Sequence, residues 1–440
     1  MVATIEHMAY GFRKTGQTPG RILTQRSCEE PDTIRALLRV GAEIVSDYSP
    51  KFFSVLLKDQ YANMHSELLG KLARMDYSEQ DITQTILSTK PYQTEDDALA
   101  FGVYTSNLVH ILTDRNEKKG KGTLIYVCNS THDSLFHSLK KADTVVLENC
   151  EGKFLMGCAG ENGQINFIIG KNLKGDYIFH HLGSGGSVGI ALGRGIHGDN
   201  YSDGAGSNSG RVGVLIGKNI YGNAAFRGIG SGSGRHTAGG RIGVVLGESI
   251  IGNNSFDSSA QESGYARIMF GKNIRGDNSF LGSYFNLGTS LLVVGENISG
   301  DRQFDMEWFL SKISTLALKN VYGLEDRYAG QYTDQHTHEN YFIRTELQQF
   351  INDEPVPENT PETYQKILSH FGVDELLMLA DSMQDKSGLE LVDIANAIYK
   401  SYESTCQKRN WKIFDKEEKR RKYVRKKRIE GGEPDEQSTV

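Results

Sequence analysis

The chain has 440 residues, of which 38% are apolar, so it is long enough for two to four domains with a large buried core. Its 49 glycines are the outlier in composition, but they do not recur at every third residue, which excludes a collagen-like triple helix. The net charge of -6 argues against a protein that binds nucleic acid over its whole surface, although basic residues concentrate near the C-terminus.

Residues 1–143 are predicted to form a mainly helical N-terminal domain. Ile34 and Leu37 begin an apolar pattern with helical spacing, which indicates one buried helix face. Ser78 and Thr94 each precede an Asp by three residues and an apolar run by a few more, as in a capping box at a helix start. The sequence therefore predicts several short amphipathic helices in this region.

A glycine-rich phrase recurs through residues 144–305. Its six clear copies are GKNLKGD, GRGIHGD, GKNIYGN, GESIIGN, GKNIRGD and GENISGD, spaced 23, 24, 30, 24 and 24 residues apart. A degenerate copy precedes them at Leu147, and each copy follows a short apolar strand. This period predicts a central parallel β-solenoid (β-helix), right-handed as is usual, with about 24 residues per coil. Each coil is expected to hold a strand, a turn, a second short strand and a Gly/Ser loop.

Equivalent positions of the copies form rows with predicted roles. An aliphatic row should point inward: Leu173, Ile196, Ile220, Ile250, Ile274 and Ile298. An Asx row should bond backbone groups at corners, with a calcium row as the alternative: Asp176, Asp199, Asn223, Asn253, Asp277 and Asp301. An aromatic row should stack inside, with Tyr201 one position out of register: Phe179, Tyr201, Phe226, Phe256, Phe280 and Phe304. The paired glycines, such as Gly271 and Gly276, are expected to take backbone angles that other residues avoid.

The strand before each phrase predicts an apolar outer face. Positions such as Val212, Val214 and Ile216 are assigned to the interior, and the position between the last two is apolar as well. These outward interface candidates are Ile168, Ala191, Leu215, Val245, Met269 and Val293. Such a face must be covered, either by the chain's own helices or by a second subunit. The residue after the first phrase glycine is charged and is assigned to a solvated row: Lys171, Arg194, Lys218, Glu248, Lys272 and Glu296.

Residues 306–405 are predicted to be a helical C-terminal region. A helix over residues 306–318 would close the end of the solenoid, and Thr360 with Pro361 would begin a small helical bundle. Residues 406–440 form a basic and then acidic tail. Its candidate contacts to nucleic acid or another polyanion are Lys419, Arg420, Arg421, Lys422, Arg425, Lys426, Lys427 and Arg428.

Two further groups are ligand candidates. Arg211 and Arg241 occupy equivalent positions in successive coils, so their charges repel unless an anion or a carboxylate lies between them. With Arg227, Arg235 and His236 of the insertion they form a candidate anion site, whose alternative is a set of solvated side chains. His336 and His338 share one face of an extended segment and could bind one metal ion, although a polar loop explains them as well.

In its layout of helices, β-solenoid and helices, the chain is similar to the scaffold proteins of iron–sulfur cluster assembly. Its Gly-rich coils resemble the β-helix domain of glutamate synthase. Both resemblances concern architecture alone, and no functional residue is carried over from either family.

The sequence favours a non-catalytic scaffold or binding protein that self-associates or binds a protein partner. The alternatives are a nucleic-acid- or ribosome-associated protein that acts through the tail, and a β-helix enzyme that acts on a carbohydrate. No motif indicates a cofactor. Five scattered cysteines and the lack of a signal peptide or of a long apolar run predict a cytoplasmic protein without a membrane partner.

Overall fold

The computed structural model describes residues 32–49, 57–232, 239–261, 263–280, 289–300, 313–321, 341–345 and 360–411. Helices α1 to α4 span Asp32–Tyr48, Leu57–Lys71, Glu79–Ser88 and Glu95–Lys118. Strands β1 to β10 span Leu124–Cys128, Lys141–Glu148, Gln164–Lys174, Ser187–His197, Arg211–Tyr221, Arg241–Ile251, Tyr265–Arg275, Thr289–Ser299, Ile313–Val321 and Tyr341–Thr345. Helices α5 to α7 span Pro361–His370, Val373–Asp381 and Leu389–Lys408.

The predicted β-solenoid is confirmed. Strands β1 to β9 pair in parallel, each with the next along the chain, and β10 adds to β9 in antiparallel orientation. The register aligns the phrase glycines, so Gly193 pairs with Gly217 and Gly247 with Gly271. The pairing of Gly217 with Gly247 holds across the longer interval, so the insertion does not shift the ladder.

The other side of each coil differs from the expected second short strand. There the residues at every second position have positive φ, as at Ala224 (58°), Phe226 (60°) and Gly228 (62°). The Phe226 N–H donates to Tyr201 O of the preceding coil, and the Gly228 N–H donates to Asp257 O of the following coil, each at 2.8 Å. A chain of turns therefore replaces a strand while still bonding to both neighbours. Because Gly adopts positive φ at no steric cost and Asn tolerates it, this segment explains much of the high glycine content.

The solenoid interior is filled by the predicted aliphatic and aromatic rows. Phe226, Phe256 and Phe280 are fully buried, and their ring centroids are 4.9 and 4.6 Å apart in succession. Tyr201 joins this stack, 5.3 Å from Phe226, and its hydroxyl donates to Ile216 O at 3.2 Å. The predicted interior roles of both rows are confirmed for the described residues.

The two glycines of each phrase are required for different reasons. At Gly276, φ is 153° and an added Cβ would lie 2.1 Å from Gly252 O, so neighbouring coils approach too closely for a side chain. Gly271 has no such backbone angle; there a Cβ would lie 2.9 Å from the Phe280 ring. The prediction of a special backbone angle was therefore wrong for the first glycine, which makes room for the aromatic stack.

The predicted orientation of the strand before each phrase was wrong. The six interface candidates Ile168, Ala191, Leu215, Val245, Met269 and Val293 are 0% exposed and lie in the interior cluster. Val212 also lies in that cluster, but Val214 and Ile216 belong to the cluster formed with α5 to α7. The inter-strand register passes over Gly213, which shows that the alternation of faces shifts there. The sequence prediction assumed that side chains alternate strictly between the two sheet faces through that glycine. It therefore assigned the residues after the glycine to the wrong faces.

The sheet nonetheless has an apolar outer face, and the chain's own helices cover it. Thirteen sheet residues form one buried cluster with side chains of α5 to α7: Val146, Ile169, Ile190, Leu192, Val214, Ile216, Val244, Leu246, Ile268, Phe270, Leu292, Val294 and Ala317. Small residues let the cover approach closely, since a Cβ at Gly243 would lie 2.3 Å from the Tyr402 hydroxyl. Of the two alternatives for covering this face, the structure has the cover from the same chain.

Local sequence signals predicted the regions before and after the solenoid only in part. The Ser78 capping box is present, and the Thr94 and Thr360 hydroxyls accept from the backbone N–H three residues on. Helix α4 packs on the first coil, where the Ser106 hydroxyl donates to His137 O at 2.8 Å. The predicted helix over residues 306–318 was wrong in its last part, because β9 begins at Ile313 and extends the sheet.

Candidate functional site: the charged seam

The charged row that follows the first phrase glycine, together with its register partners on β2 and β9, lies between the solenoid and α5 to α7. We call it the charged seam: Glu148, Lys171, Arg194, Lys218, Glu248, Lys272, Glu296 and Lys319, paired in register along the sheet. The prediction of a solvated row was wrong, since Lys218 is 4% exposed and Arg194 and Glu296 are each 9% exposed. The helices that cover the apolar face also cover this row.

The first part of the seam binds the segment between α6 and α7. The Lys218 ammonium lies 2.5 Å from Glu248 Oε2 and also contacts the carboxylate of Asp381 at the end of α6. Glu148 Oε2 accepts from the Tyr126 hydroxyl at 2.8 Å and from the Gly388 N–H at 3.3 Å. Charged and polar bonds therefore join the helices to the sheet, because each of them requires its donor and acceptor to stay within bonding distance.

The last part of the seam opens into a groove beside α5 and α6. The groove has a volume of about 460 Å³, and among its lining residues are Lys272, Glu296, Lys319, Tyr364, Leu368 and Asp374. Glu296 lies 3.9 Å from the Lys272 ammonium and 3.5 Å from that of Lys319, and it accepts from the Tyr364 hydroxyl at 3.2 Å. The side chains of Lys272 and Lys319 remain 30% and 24% exposed. This volume is in the range of small-ligand and peptide side-chain sites.

Asp374 supplies the opposite charge on the helical wall of the groove. Its Oδ2 accepts from the Gln365 amide at 2.5 Å and from the Ser369 hydroxyl at 2.8 Å, which orients the carboxylate. Leu368 and Leu377 add apolar surface beside it. The groove therefore offers two ammonium groups, a fixed carboxylate and an apolar wall. These features suit an elongated ligand that carries charges of both signs and an apolar group.

The arginines predicted to bind an anion fall into two places. Arg211 and Arg241 are paired in register at the start of β5 and β6, and Arg211 is 8% exposed. Arg227 lies on the chain of turns, where its guanidinium is 2.6 Å from Asp203 Oδ2 and 3.3 Å from Asn200 Oδ1. A carboxylate of the chain therefore already neutralises Arg227. Arg235 and His236 lie outside the described residues.

The Asx row has the predicted structural role. From Asp176 to Asn253, the side-chain oxygen of each row member accepts the backbone N–H of the next member: Asp176 Oδ1 accepts from the Asp199 N–H at 2.9 Å, and Asn253 Oδ1 accepts from the Asp277 N–H at 2.8 Å. Within the described part of the chain, no group of three or more His, Cys, Asp and Glu could hold a metal ion. His336, His338 and the tail residues 419–428 lie outside that part, so the metal and polyanion predictions stay predictions.

Sequence reasoning found the charged row and missed its importance. The signal was present in the alternation of Lys and Glu from Lys218 to Lys319, which is typical of residues that pair laterally. It could not reveal that helices beginning only after the last strand, at Pro361, would cover the row, because no local pattern encodes that contact.

No helix in the described ranges is long and apolar enough to span a membrane. Comparisons with known proteins found no family model, no curated protein and no solved structure that matches this chain.

Proposed function

We propose that the protein is a non-catalytic, cytoplasmic scaffold that binds an extended segment of a partner protein in the groove at the end of the charged seam. The observation that carries this proposal is the groove itself, which has a volume of about 460 Å³ and is lined by Lys272 and Lys319 of the solenoid and by Asp374 of α6. The groove is formed by two separate parts of the chain, the solenoid and the helices, which the seam holds in a fixed relation. Such a rigid, preorganised site lowers the entropic cost of binding.

Mixed charge favours a peptide over a simple anion or cation. The two ammonium groups attract carboxylates of a ligand, while Asp374 and the exposed Glu362 attract its cationic groups. Leu368 and Leu377 accept an apolar side chain between them.

Self-association through the apolar sheet face is not part of this proposal, because α5 to α7 occupy that face. The free thiols of Cys128, Cys150, Cys158 and Cys406 support a reducing compartment.

The proposal is tested by panning a displayed library of random short peptides against the full chain. Peptides that bind the wild type should carry both acidic and basic residues, and those with acidic residues should lose most of their affinity for a Lys272→Gln, Lys319→Gln double variant. A Lys174→Gln variant, whose side chain is 66% exposed on another face, serves as the matched control. Enriched peptides that bind all three proteins equally would show that the groove is not the binding site.

The density of positive charge near the C-terminus favours a second function, contact with a nucleic acid or another polyanion. Of the 21 residues from 408 to 428, 12 are Lys or Arg. Removing residues 412–440 tests it. This truncation keeps Trp411, whose ring stacks on Phe371 at 5.7 Å and lies 5.0 Å from the Arg267 guanidinium. We expect salt-sensitive RNA binding by the full chain and none by the truncated chain, with peptide binding at the groove retained in both.

A further inference from the structure

Trp411 places the following segment of the chain beside the groove. Its ring stacks on Phe371 at the C-terminal end of α5, with the ring centroids 5.7 Å apart, and its backbone N–H donates to Cys406 O at 2.7 Å. Leu368, which lines the groove, lies three residues before Phe371, a rise of about 4.5 Å along the helix axis. Residue 412 therefore starts within reach of the end of the groove.

The groove presents its chemical groups in a definite order along α5. In the C-terminal half of α5, the Ser369 hydroxyl donates to Asp374 at 2.8 Å, and Leu368 forms the adjacent apolar wall. The two hydrogen bonds that orient Asp374 come from neutral donors, so its charge is available to a cation. One turn earlier on the helix, the Lys319 ammonium lies 6.0 Å from the centre of the Tyr364 ring. From the C-terminal end of α5, the order is therefore a carboxylate, an apolar wall and the ammonium groups.

The segment that follows Trp411 carries matching groups in the same order. Residues 412–418 are Lys-Ile-Phe-Asp-Lys-Glu-Glu. A cation comes first, two apolar residues follow, and three of the last four residues are acidic. Seven extended residues span up to about 25 Å, whereas the 10 residues of α5 rise about 15 Å. The segment is therefore long enough to cross the whole groove.

We propose that residues 412–418 of the same chain occupy the groove, as a latch that a partner segment must displace. Lys412 pairs with the oriented carboxylate of Asp374, and Phe414 packs against Leu368. The acidic residues of the latch face the two ammonium groups at the other end of the groove, where opposite charges attract. The groove is therefore closed by the chain itself until a competing segment binds.

The same chain is the favoured occupant because its segment begins beside the groove. Trp411 fixes that starting point, and a short link of this kind raises the effective concentration of the segment to the order of 1 mM. A separate peptide or the same segment of a second copy must compete with that concentration. The latch regulates the partner site and in that role rests on the function proposed above, but its own test needs no partner.

Zero-length cross-linking of the full chain tests the latch directly. A carbodiimide joins a carboxylate to an amine only where the two are in contact, and mass spectrometry of the digested chain identifies the pair. We expect a link from Lys412 to Asp374, and links from the acidic residues of the latch to the groove lysines. The exposed pair Lys174 and Glu151, 2.9 Å apart, must link in the same sample to show that the reaction worked.

Two matched variants show whether the links depend on the groove. Phe414→Ser removes the largest apolar group of the latch and should lower the yield of the latch links at least about fivefold. Tyr423→Ser removes an aromatic residue outside the latch and should leave the yield unchanged. A labelled peptide with the sequence of residues 411–420 should bind Phe414→Ser at least about fivefold more tightly than the wild type, because the linked competitor is weakened.

The outcomes separate the latch from the partner function. Absence of latch links where the control pair links, or equal yields for Phe414→Ser and the wild type, would overturn the latch. In an equal mixture of isotope-labelled and unlabelled chains, links found only between the two kinds of chain would overturn it as well, because a second copy would then fill the groove. Latch links without any groove-dependent peptide from the panning experiment would support the latch and refute the partner function.

Discussion

His137 makes the stability of the solenoid sensitive to acid. Its ring is buried between the first coils, its Nδ1 lies 3.0 Å from the Ser138 hydroxyl, and its backbone carbonyl accepts from Ser106 of α4. Burial, and to a smaller degree the nearby His180, lowers the pKa of His137 from 6.5 to about 4. The folded state therefore holds this imidazole neutral at a pH where the unfolded chain would protonate it.

The sign and size of the effect follow from proton linkage. The folded-state pKa of His137 is depressed from 6.5 to about 4, so its contribution to stability is complete above pH 6.5 and is lost as the pH falls toward 4. Each unit of pKa shift corresponds to about 1.4 kcal/mol, so His137 alone should lower the free energy of unfolding by about 2 kcal/mol between about pH 7.5 and about pH 5. His110, His180 and His370, whose pKa values burial also lowers to about 4, add to the loss of the whole protein. By about pH 4 the contribution of His137 to this loss should reach about 3 kcal/mol.

Urea unfolding of the wild type and of His137→Gln at several pH values measures this loss. Glutamine keeps a polar side chain but does not titrate, so the variant should lose about 2 kcal/mol less than the wild type over the same pH interval. The exposed His197, which stacks on Tyr221 at 4.7 Å, provides the control variant His197→Gln. Parallel pH profiles for the wild type and His137→Gln would refute the assignment of this acid sensitivity to His137.

Further substitutions test the packing and the seam. Phe256→Ala removes a fully buried ring of the aromatic stack and should cost about 3–5 kcal/mol in urea unfolding, and a cost below about 1 kcal/mol would contradict the interior stack. Gly217→Ala places a Cβ 2.5 Å from the same stack and should destabilise by about 1–3 kcal/mol. Gly70→Ala, with nothing within 4 Å, should instead stabilise α2 by up to about 1 kcal/mol. Lys218→Met leaves two carboxylates unpaired and should speed limited proteolysis between α6 and α7, whereas Lys174→Met, at an exposed pair, should not.

The repeat allowed much of the solenoid to be predicted from the sequence. A phrase that returns at nearly constant spacing aligns equivalent residues, so the aliphatic row, the Asx row and the displaced Tyr201 were assigned without coordinates. The errors arose where one residue changes the local geometry. Gly213 shifts the alternation of faces, which inverted the assignment of Val214 and Leu215. Likewise, β9 continues the sheet beyond the last phrase, where no repeat remained to predict it.

The sequence by itself determined the coil period, the in-register rows and the need for a cover on an apolar sheet, because each follows from short-range periodicity repeated many times. Only the tertiary structure decided that α5 to α7 provide that cover and that the charged row is buried beneath them. The physical reason is that these features depend on contacts between segments as much as 240 residues apart, as between Gly388 and Glu148. The affinity of such a contact is set by the fit of two surfaces, which neither segment specifies alone.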